Sequence, residues 1–411
     1  MAAWMPVAQA RQRLVQALGK VLETEVVPLE QALTRVLAGD VVAARPVPAQ
    51  AHSAMDGYAL RFQDLQEHDS LPVRQRITAG RQPSPLPPGA CARIFTGAVL
   101  PEGADTVVMQ EDTHSEGDMH SEGERVSFLK PPLAGAHIHA IGHDVAAGQK
   151  VLAAGRRLGA VELAVLATLG MATVTVRRRP RVVLLSTGDE LLAPGQDWRP
   201  AAIYDSNRPL IASVLRQWGY EVITPDIVAD TRAATRAAML SAADLAPDLI
   251  MSSGGVSVGE EDHVQALLQA EGDVSFWKVA LRPGKPLCLA RWHEHPYIGL
   301  PGNPLSALVT LTMVCRDALL GLCGQAAPHW QGQRVRSAFA RRVGERDEIL
   351  AARAGAEGWQ LAEHLSSAAL WPTLHSLAWV GLQARQDVAI GDDIDLWSVM
   401  DLLSTRSTQF P

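Results

Sequence analysis

The 411-residue sequence predicts an α/β multidomain protein: a central doubly wound α/β domain, a small β domain inserted into a helical one, and a closing β domain. Three observations carry that expectation. Strands alternate with helices over residues 180–327, the signature of a parallel sheet covered on both faces. Short β-rich runs between Pro and Gly clusters occupy 45–130, with helical patterns on either side. After about residue 328 only short β runs remain. The expected domains are 1–44 with 145–179 (helical), 45–144 (inserted β), 180–327 (α/β) and 328–411 (C-terminal β).

Taken in order, residues 6–22 predict an amphipathic helix, with Pro6 in its first turn and Val7, Ala10, Leu14, Leu18 and Val21 at three- and four-residue steps. A second short helix is expected over 29–37, stopped by Gly39. The β runs of the insertion are 74–77, 93–96, 106–109 and 125–129. Residues 113–124 are polar and read as an exposed hairpin tip, its two His-Ser-Glu-Gly-like copies (114–117, 120–123) as solvated loop rather than metal site. A helix over 158–169 is capped by Gly170. Strands follow at 182–185, 221–224, 249–252, 287–290 and 297–299. The helices between and after them start at 205–209 and end at Gly219, then cover 231–243, 261–270 and 305–320. The final β runs are 335–339, 349–353, 359–362, 388–390 and 394–399.

Lys plus Arg is 37 and Asp plus Glu 44, a net charge of −7, which argues against a nucleic-acid-binding protein. Cys91, Cys288, Cys315 and Cys323 show no CxxC spacing, so neither a disulfide scaffold nor a zinc site is expected, and a reduced cytoplasmic setting fits. Arg11, Arg13 and Lys20 interrupt the apolar N-terminal stretch, unlike a signal peptide. The longest uncharged apolar stretch, 300–315, starts Leu-Pro-Gly-Asn-Pro and reads as a loop and a buried helix, so no membrane partner is expected.

Three loops follow strands directly: Ser186, Thr187, Gly188, Asp189 and Glu190; the run 252–262 with Ser253, Gly254, Gly255, Ser257, Gly259 and Asp262; and Pro301, Gly302, Asn303 and Pro304. In an open α/β sheet, ligands bind outside the carboxyl ends of the strands, so all three should face one crevice. Glycines let backbone N–H groups approach an oxyanion, and a helix N-terminus favours negative charge. Lys278, Arg282 and Lys285 place three cations near the same edge, with the Pro283-Gly284 turn able to direct Arg282 and Lys285 inward. An anionic, phosphorylated ligand suits that set. Glu190, Asp230 and Asp262 beside phosphate suit magnesium, although Asp230 alone is most simply a helix cap.

The insertion holds Ser53-Ala-Met-Asp56-Gly-Tyr-Ala59, Thr96-Gly-Ala98 with Pro101-Glu-Gly-Ala-Asp105, and Gly142-His-Asp144. Together with Ser186-Thr-Gly-Asp-Glu190, the loop 253–262, Arg282-Pro-Gly-Lys-Pro286 and Leu300-Pro-Gly-Asn-Pro304, these residues closely resemble the molybdopterin molybdenumtransferase family, to which the gephyrin E domain belongs. The match runs in order over residues 6–325. The resemblance implies an elongated helical linker domain and a C-terminal β-barrel-like domain. It implies an enzyme that takes adenylylated molybdopterin, inserts molybdenum from molybdate and releases AMP, assisted by magnesium (Mg2+). It implies a homodimer whose β domain reaches the partner's α/β crevice, and transient contact with other molybdenum cofactor proteins. By motif, Asp56, Asp144, Glu190, Asp230 and Asp262 fall at catalytic positions, with Glu190, Asp230 and Asp262 at the metal. Thr96, Ser186, Thr187, Gly188, Asp189, Ser253, Gly254, Gly255, Ser257, Lys278, Arg282, Lys285, Pro301, Gly302, Asn303 and Pro304 fall at substrate positions.

The chain also departs from the family pattern. His139 replaces an Arg and His143 an acidic residue, Ile349-Leu350-Ala351 stands for Phe-x-Arg, and Trp371-Pro372 for Ser-His. Two other readings remain at this point. One is a pterin-binding carrier that inserts no metal. The other is a molybdopterin adenylyltransferase, whose loop normally reads Gly-Gly-Thr-Gly where this chain has Gly254-Gly-Val-Ser257.

Overall fold

The computed structural model describes residues 4–116, 123–130, 132–256, 262–325, 332–362, 366–374 and 378–403. The chain divides into two compact units. The first comprises Met1–Gly39, Ala154–Leu163 and Thr173–Pro411; the second comprises Asp40–Ala153 and Ala164–Ala172.

The first unit is built on a six-stranded sheet. Its strands are β1 (Arg181–Ser186), β2 (Glu221–Ile223), β3 (Leu249–Ser253), β4 (Asp273–Lys278), β5 (Pro286–Trp292) and β6 (His295–Leu300), in the order 2-1-3-6-5-4. β2, β1, β3 and β6 are parallel. β5 runs antiparallel to both its neighbours, β6 and β4, so the sheet is mixed rather than all parallel. Only His293 and Glu294 separate β5 from β6, and a parallel crossover needs a dozen residues or more. His293, at φ 51°, makes the tight turn instead.

Helices α1 (Asn207–Gln217) and α2 (Arg232–Asp244) connect the parallel strands β1, β2 and β3, and α3 (His263–Glu271) leads from β3 to β4. α4 runs Pro304–Leu322 and passes through a π-helical turn at Leu311–Cys315. That turn displaces a backbone acceptor, and the Arg11 guanidinium donates to the Met313 carbonyl there at 2.8 Å. α4 is long and apolar enough to cross a membrane, but 89% of its most apolar window is buried against the unit. Its apolar character is that of a core helix. Leu184, Ile211, Leu215, Met251, Ile298, Leu308 and Leu319 are all buried in the same cluster.

The N-terminal helix is shorter than expected, Val7–Ala17. The β-branched run beyond Gly19 instead forms strand Thr24–Pro28, paired with Thr173–Arg177. The expected helix over 29–37 is only a 3₁₀ turn, Leu29–Gln31. Thr34 sits at φ 67°, and the amides of Thr34 and Leu37 donate to Leu158 and Arg156 rather than along a helix.

Strands Gln333–Arg336, Asp347–Gly355, Gly358–Leu361, Ala378–Leu382 and Asp393–Ser398 form the C-terminal sheet. Ala378–Leu382, flanked by Ser and Leu without a turn signal, escaped the sequence reading. The region also carries short helices at Trp371–Leu374 and Val399–Leu403, so it is not free of helix. Leu281–Arg282 pairs in parallel with Asp347–Gly355, so the cation-bearing hairpin is an edge strand of this sheet.

In the second unit, six strands lie in the order Thr106–Met109, Gly57–Leu60, Cys91–Ile94, Ser70–Ile77, Arg125–Phe128, Thr113–Glu116. Part of the expected polar tip at 113–124 is thus a strand, Thr113–Glu116, paired with Arg125–Phe128. Residues 117–122 of that tip lie outside the described residues.

Candidate functional site

The carboxyl ends of β1, β3 and β6 are neighbours. Because β1 connects outward to β2 and the chain returns to β3 on its other side, the β1–β3 edge is the topological switch point where such sheets form a crevice. Here lie Ser186, Thr187, Gly188, Asp189, Glu190, Ser253, Gly254, Gly255, Pro301, Gly302, Asn303 and Pro304, as the sequence led one to expect. Ser257, with the rest of 257–261, lies outside the described residues.

The glycines are required by geometry. Gly254 (φ +88°) and Gly255 (φ +66°) occupy the left-handed region. A Cβ on Gly254 would stand 3.1 Å from the Thr187 carbonyl oxygen, and one on Gly255 only 2.6 Å from Val264 Cγ2. The loops after β1 and β3 are therefore in backbone contact. Gly254 N–H also donates to the Leu300 carbonyl at 3.3 Å, which ties β3's loop to β6.

The start of α1 joins all three loops, and the sequence reading missed it. Asn207 Nδ2 donates to Ser253 Oγ at 2.7 Å and to the Gly302 carbonyl at 2.6 Å. Arg208 Nε donates to Ser186 Oγ at 3.3 Å. The buried Asp205 carboxylate fixes this turn by accepting the Arg208 N–H at 3.0 Å. The only signal in the sequence was the polar run Asp205-Ser-Asn-Arg208 opening an apolar helix, which resembles an ordinary cap. Among the described residues, Thr187 Oγ1, Asn207 Oδ1 and Arg208 Nη2 are buried without a hydrogen-bond partner. Buried polar atoms of this kind are uncommon and cluster at functional sites.

The acidic residues divide into two roles. Asp189 Oδ1 accepts the backbone N–H of Asp230 at 3.0 Å, which brings the β1 loop to the approach of α2. Glu190 folds its carboxylate back over the Cα of Gly188, where a Cβ would meet Oε2 at 2.5 Å. Both Glu190 and Asp230 are exposed. Asp230 is not the α2 cap; Thr231 is, its Oγ1 accepting from Ala234 N–H at 3.2 Å. Asp262 is a cap instead, its Oδ1 accepting from Gln265 N–H at 2.9 Å at the start of α3. Among the described residues no three His, Cys, Asp or Glu side chains gather into a metal cluster. The set Glu190, Asp230 and Asp262 is therefore not a preformed cage. Exposed oxygen donors at Glu190 and Asp230 fit magnesium's habit of taking one or two carboxylates and completing its shell with water and phosphate.

Lys278 and Lys285 flank a hairpin whose turn, Pro283-Gly284, packs on α4. A Cβ on Gly284 would lie 2.4 Å from Thr310 Oγ1. The turn does not send Arg282 inward: its side chain is 60% exposed and pairs with the buried Glu348 at 3.3 Å, which Arg341 also engages. Lys285 Nζ lies 5.5 Å above the Trp4 ring, whose other cationic neighbour is Arg346 at 5.2 Å. The Phe-x-Arg counterpart, Ile349, Leu350 and Ala351, is buried in its strand, while Trp371 is 72% exposed.

In the second unit, Asp56 Oδ1 accepts from both the backbone N–H and Oγ1 of Thr96 at 2.8 Å. These bonds hold its carboxyl below the usual range, with Arg93 nearby adding to the effect. Gly57 is obligatory, because a Cβ would fall 1.9 Å from the Val108 carbonyl oxygen. Ser53 and Tyr58 serve the fold. Ser53 Oγ donates to Met55 O at 2.6 Å, and the buried Tyr58 hydroxyl donates to Glu124 at 3.3 Å. Asp144 is exposed on the loop where the His139 and His143 rings approach to 5.0 Å.

Comparison with known proteins agrees with this arrangement. The family described as "MoeA N-terminal region (domain I and II)" matches residues 5–170, and that described as "Probable molybdopterin binding domain" matches 183–321. A molybdopterin molybdenumtransferase of Haemophilus influenzae is 39% identical over 318 residues, 77% of each chain. Another, from Nostoc, is 41% identical over 323 residues, 76% of this chain and 72% of the relative. The crystal structure of the molybdopterin biosynthesis MoeA protein from Pyrococcus horikosii superposes with a TM-score of 0.78 at 26% identity, covering 97% of this chain and 99% of that one. The chain belongs to the molybdopterin molybdenumtransferase family.

Proposed function

We propose that this chain inserts molybdenum from molybdate into adenylylated molybdopterin and releases AMP, a step of molybdenum cofactor biosynthesis. The observation that carries this reading is the crevice at the switch point, where two left-handed glycines and three loops meet at the ends of β1, β3 and β6. The backbone N–H of Gly255 and the Lys278 and Lys285 ammonium groups bind the phosphates of the pterin nucleotide, the two lysines as charge-assisted donors. Glu190 and Asp230 would hold magnesium, and the ion would supply polarisation of the phosphoanhydride and offset charge on the leaving phosphate. Thr96 fixes the Asp56 carboxylate by two hydrogen bonds, so Asp56 and Asp144, both on the second unit, act as proton handlers or positioning groups near the incoming oxyanion. Carboxylates repel molybdate, so the cations attract it.

Asp56 and Asp144 belong to the second unit and Glu190 to the first. We infer a homodimer in which one chain's β unit completes the other's crevice, working in the cytoplasm and handing its product on through transient contact with other molybdenum cofactor proteins. The test is incubation with adenylylated molybdopterin, magnesium and molybdate, followed by metal analysis of the isolated pterin. Molybdenum in the pterin is the expected result. Pterin bound and recovered without metal would favour the carrier reading.

A further inference from the structure

We propose that Asn207 is a positioning residue of this site: its side-chain amide holds the Gly-Gly loop after β3 and the Pro-Gly-Asn-Pro loop after β6 in one binding geometry. The proposal rests on the reading of the crevice as the pterin-nucleotide site. Asn207 is the first residue of α1 and is 8% exposed, so a ligand does not reach it as it reaches the glycines. Its Nδ2 makes both bridging bonds, to Ser253 Oγ and the Gly302 carbonyl. A carbonyl oxygen can only accept, so the bond to Gly302 fixes which end of the amide faces the loops.

The two anchored positions sit where the loops already meet. Ser253 immediately precedes the left-handed Gly254, whose N–H donates to the Leu300 carbonyl at 3.3 Å, and a Cβ on Gly302 would be in ordinary van der Waals contact, 3.7 Å, with the Gly254 Cα. Asn207 is itself held, because Asp205 and Arg208 lock the first turn of α1, and Arg208 reaches Ser186 at the end of β1. One helical turn thus sets the spacing of three strand ends. Misplacing a binding group by about 1 Å can cost a hundredfold in rate, which is why such a remote amide matters.

Asn207→Ala removes both bridges. Asn207→Asp keeps the size but turns a carboxylate oxygen toward the Gly302 carbonyl, so it should be no better. Ser253→Ala removes one bridge from the far side. Wild type, these three variants and the Asn207→Ala/Ser253→Ala double variant are titrated with adenylylated molybdopterin by calorimetry, and their thermal unfolding is recorded alongside. The expected result is at least tenfold weaker binding for Asn207→Ala and Asn207→Asp and a smaller loss for Ser253→Ala. The Asn207→Ala/Ser253→Ala double variant should lose less than the product of the single losses, because the two residues act through one contact. A merely structural role would lower the melting temperature while leaving the affinity of the folded protein unchanged, and would overturn the proposal. So would fully multiplicative losses in the double variant. Wild-type protein that does not bind the nucleotide overturns the reading of the crevice itself. Wild-type binding with Asn207→Ala within twofold of it overturns only the role of Asn207.

Discussion

Replacing Gly255 by Ala tests whether the loop after β3 is shaped for a ligand rather than merely tolerated. The added methyl meets two separate penalties. At φ +66° a non-glycine residue costs about 1–2 kcal/mol. The Cβ would also lie 2.6 Å from Val264 Cγ2 and 3.1 Å from Thr187 Oγ1, and overpacking of that kind costs about 1–3 kcal/mol. Together the strain is about 2–5 kcal/mol. Val264 is 3% exposed on α3 and cannot swing away, so the loop itself must give. Displacement by even a few tenths of an ångström withdraws the Gly255 N–H from the phosphate, so binding of adenylylated molybdopterin should weaken at least tenfold, about 1.4 kcal/mol. Calorimetric titration reads this directly. Gly391→Ala is the control. It has φ +90° but nothing within 4 Å of a Cβ, so it carries the backbone cost alone and should bind normally. Gly255→Ala with Val264→Ala should recover part of the loss by removing the overlap. Wild-type affinity and melting temperature in Gly255→Ala would refute the argument that this loop is rigidly set.

Three further outcomes follow from the same geometry. Lys285→Ala should weaken adenylylated molybdopterin by about 1.5–3 kcal/mol in a calorimetric titration, the worth of a charge-assisted bond; unchanged affinity would remove Lys285 from the site. Asp56 is a carboxyl whose folded pKa is lowered, so the Thr96–Asp56 contribution to stability is full above the ordinary Asp value, about 3.9, and is lost as pH falls through the lower folded value. Thr96→Val should move the Asp56 titration up toward the ordinary value, and carbon-detected NMR titration showing no change would sink the assignment. Co-expressed Asp56→Asn and Glu190→Gln chains, each slow alone, should regain AMP release in mixed dimers, since one crevice then keeps both intact residues; no recovery would contradict the shared site.

The alternation of strands and helices in 180–327 was legible because period and turn residues agree there, and the three strand-end loops follow from it. The antiparallel β5–β6 pair was not read: the runs expected at 287–290 and 297–299 leave six residues between them, and only the full strands, Pro286–Trp292 and His295–Leu300, reveal the two-residue turn at His293 and Glu294. Other features were not legible either. Capping by Thr231 rather than Asp230 depends on one residue of register. The role of Asn207 depends on two acceptors 46 and 95 positions away. Arg282 turned outward because Glu348, in a strand more than sixty residues on, offers a buried carboxylate that local pattern cannot reveal. Patterns at short range encode elements, whereas partners brought together by topology have no local signature.

The proposed reaction couples oxyanion arrival in this crevice to loss of the nucleotide. Single-turnover AMP release, with enzyme in excess over adenylylated molybdopterin, tests it most directly, measured with and without molybdate. Stoichiometric AMP that depends on molybdate and magnesium is the predicted result, its release slowed at least about tenfold in Glu190→Gln while binding is retained. AMP release at one rate regardless of molybdate, and unaffected by Glu190→Gln, would contradict it.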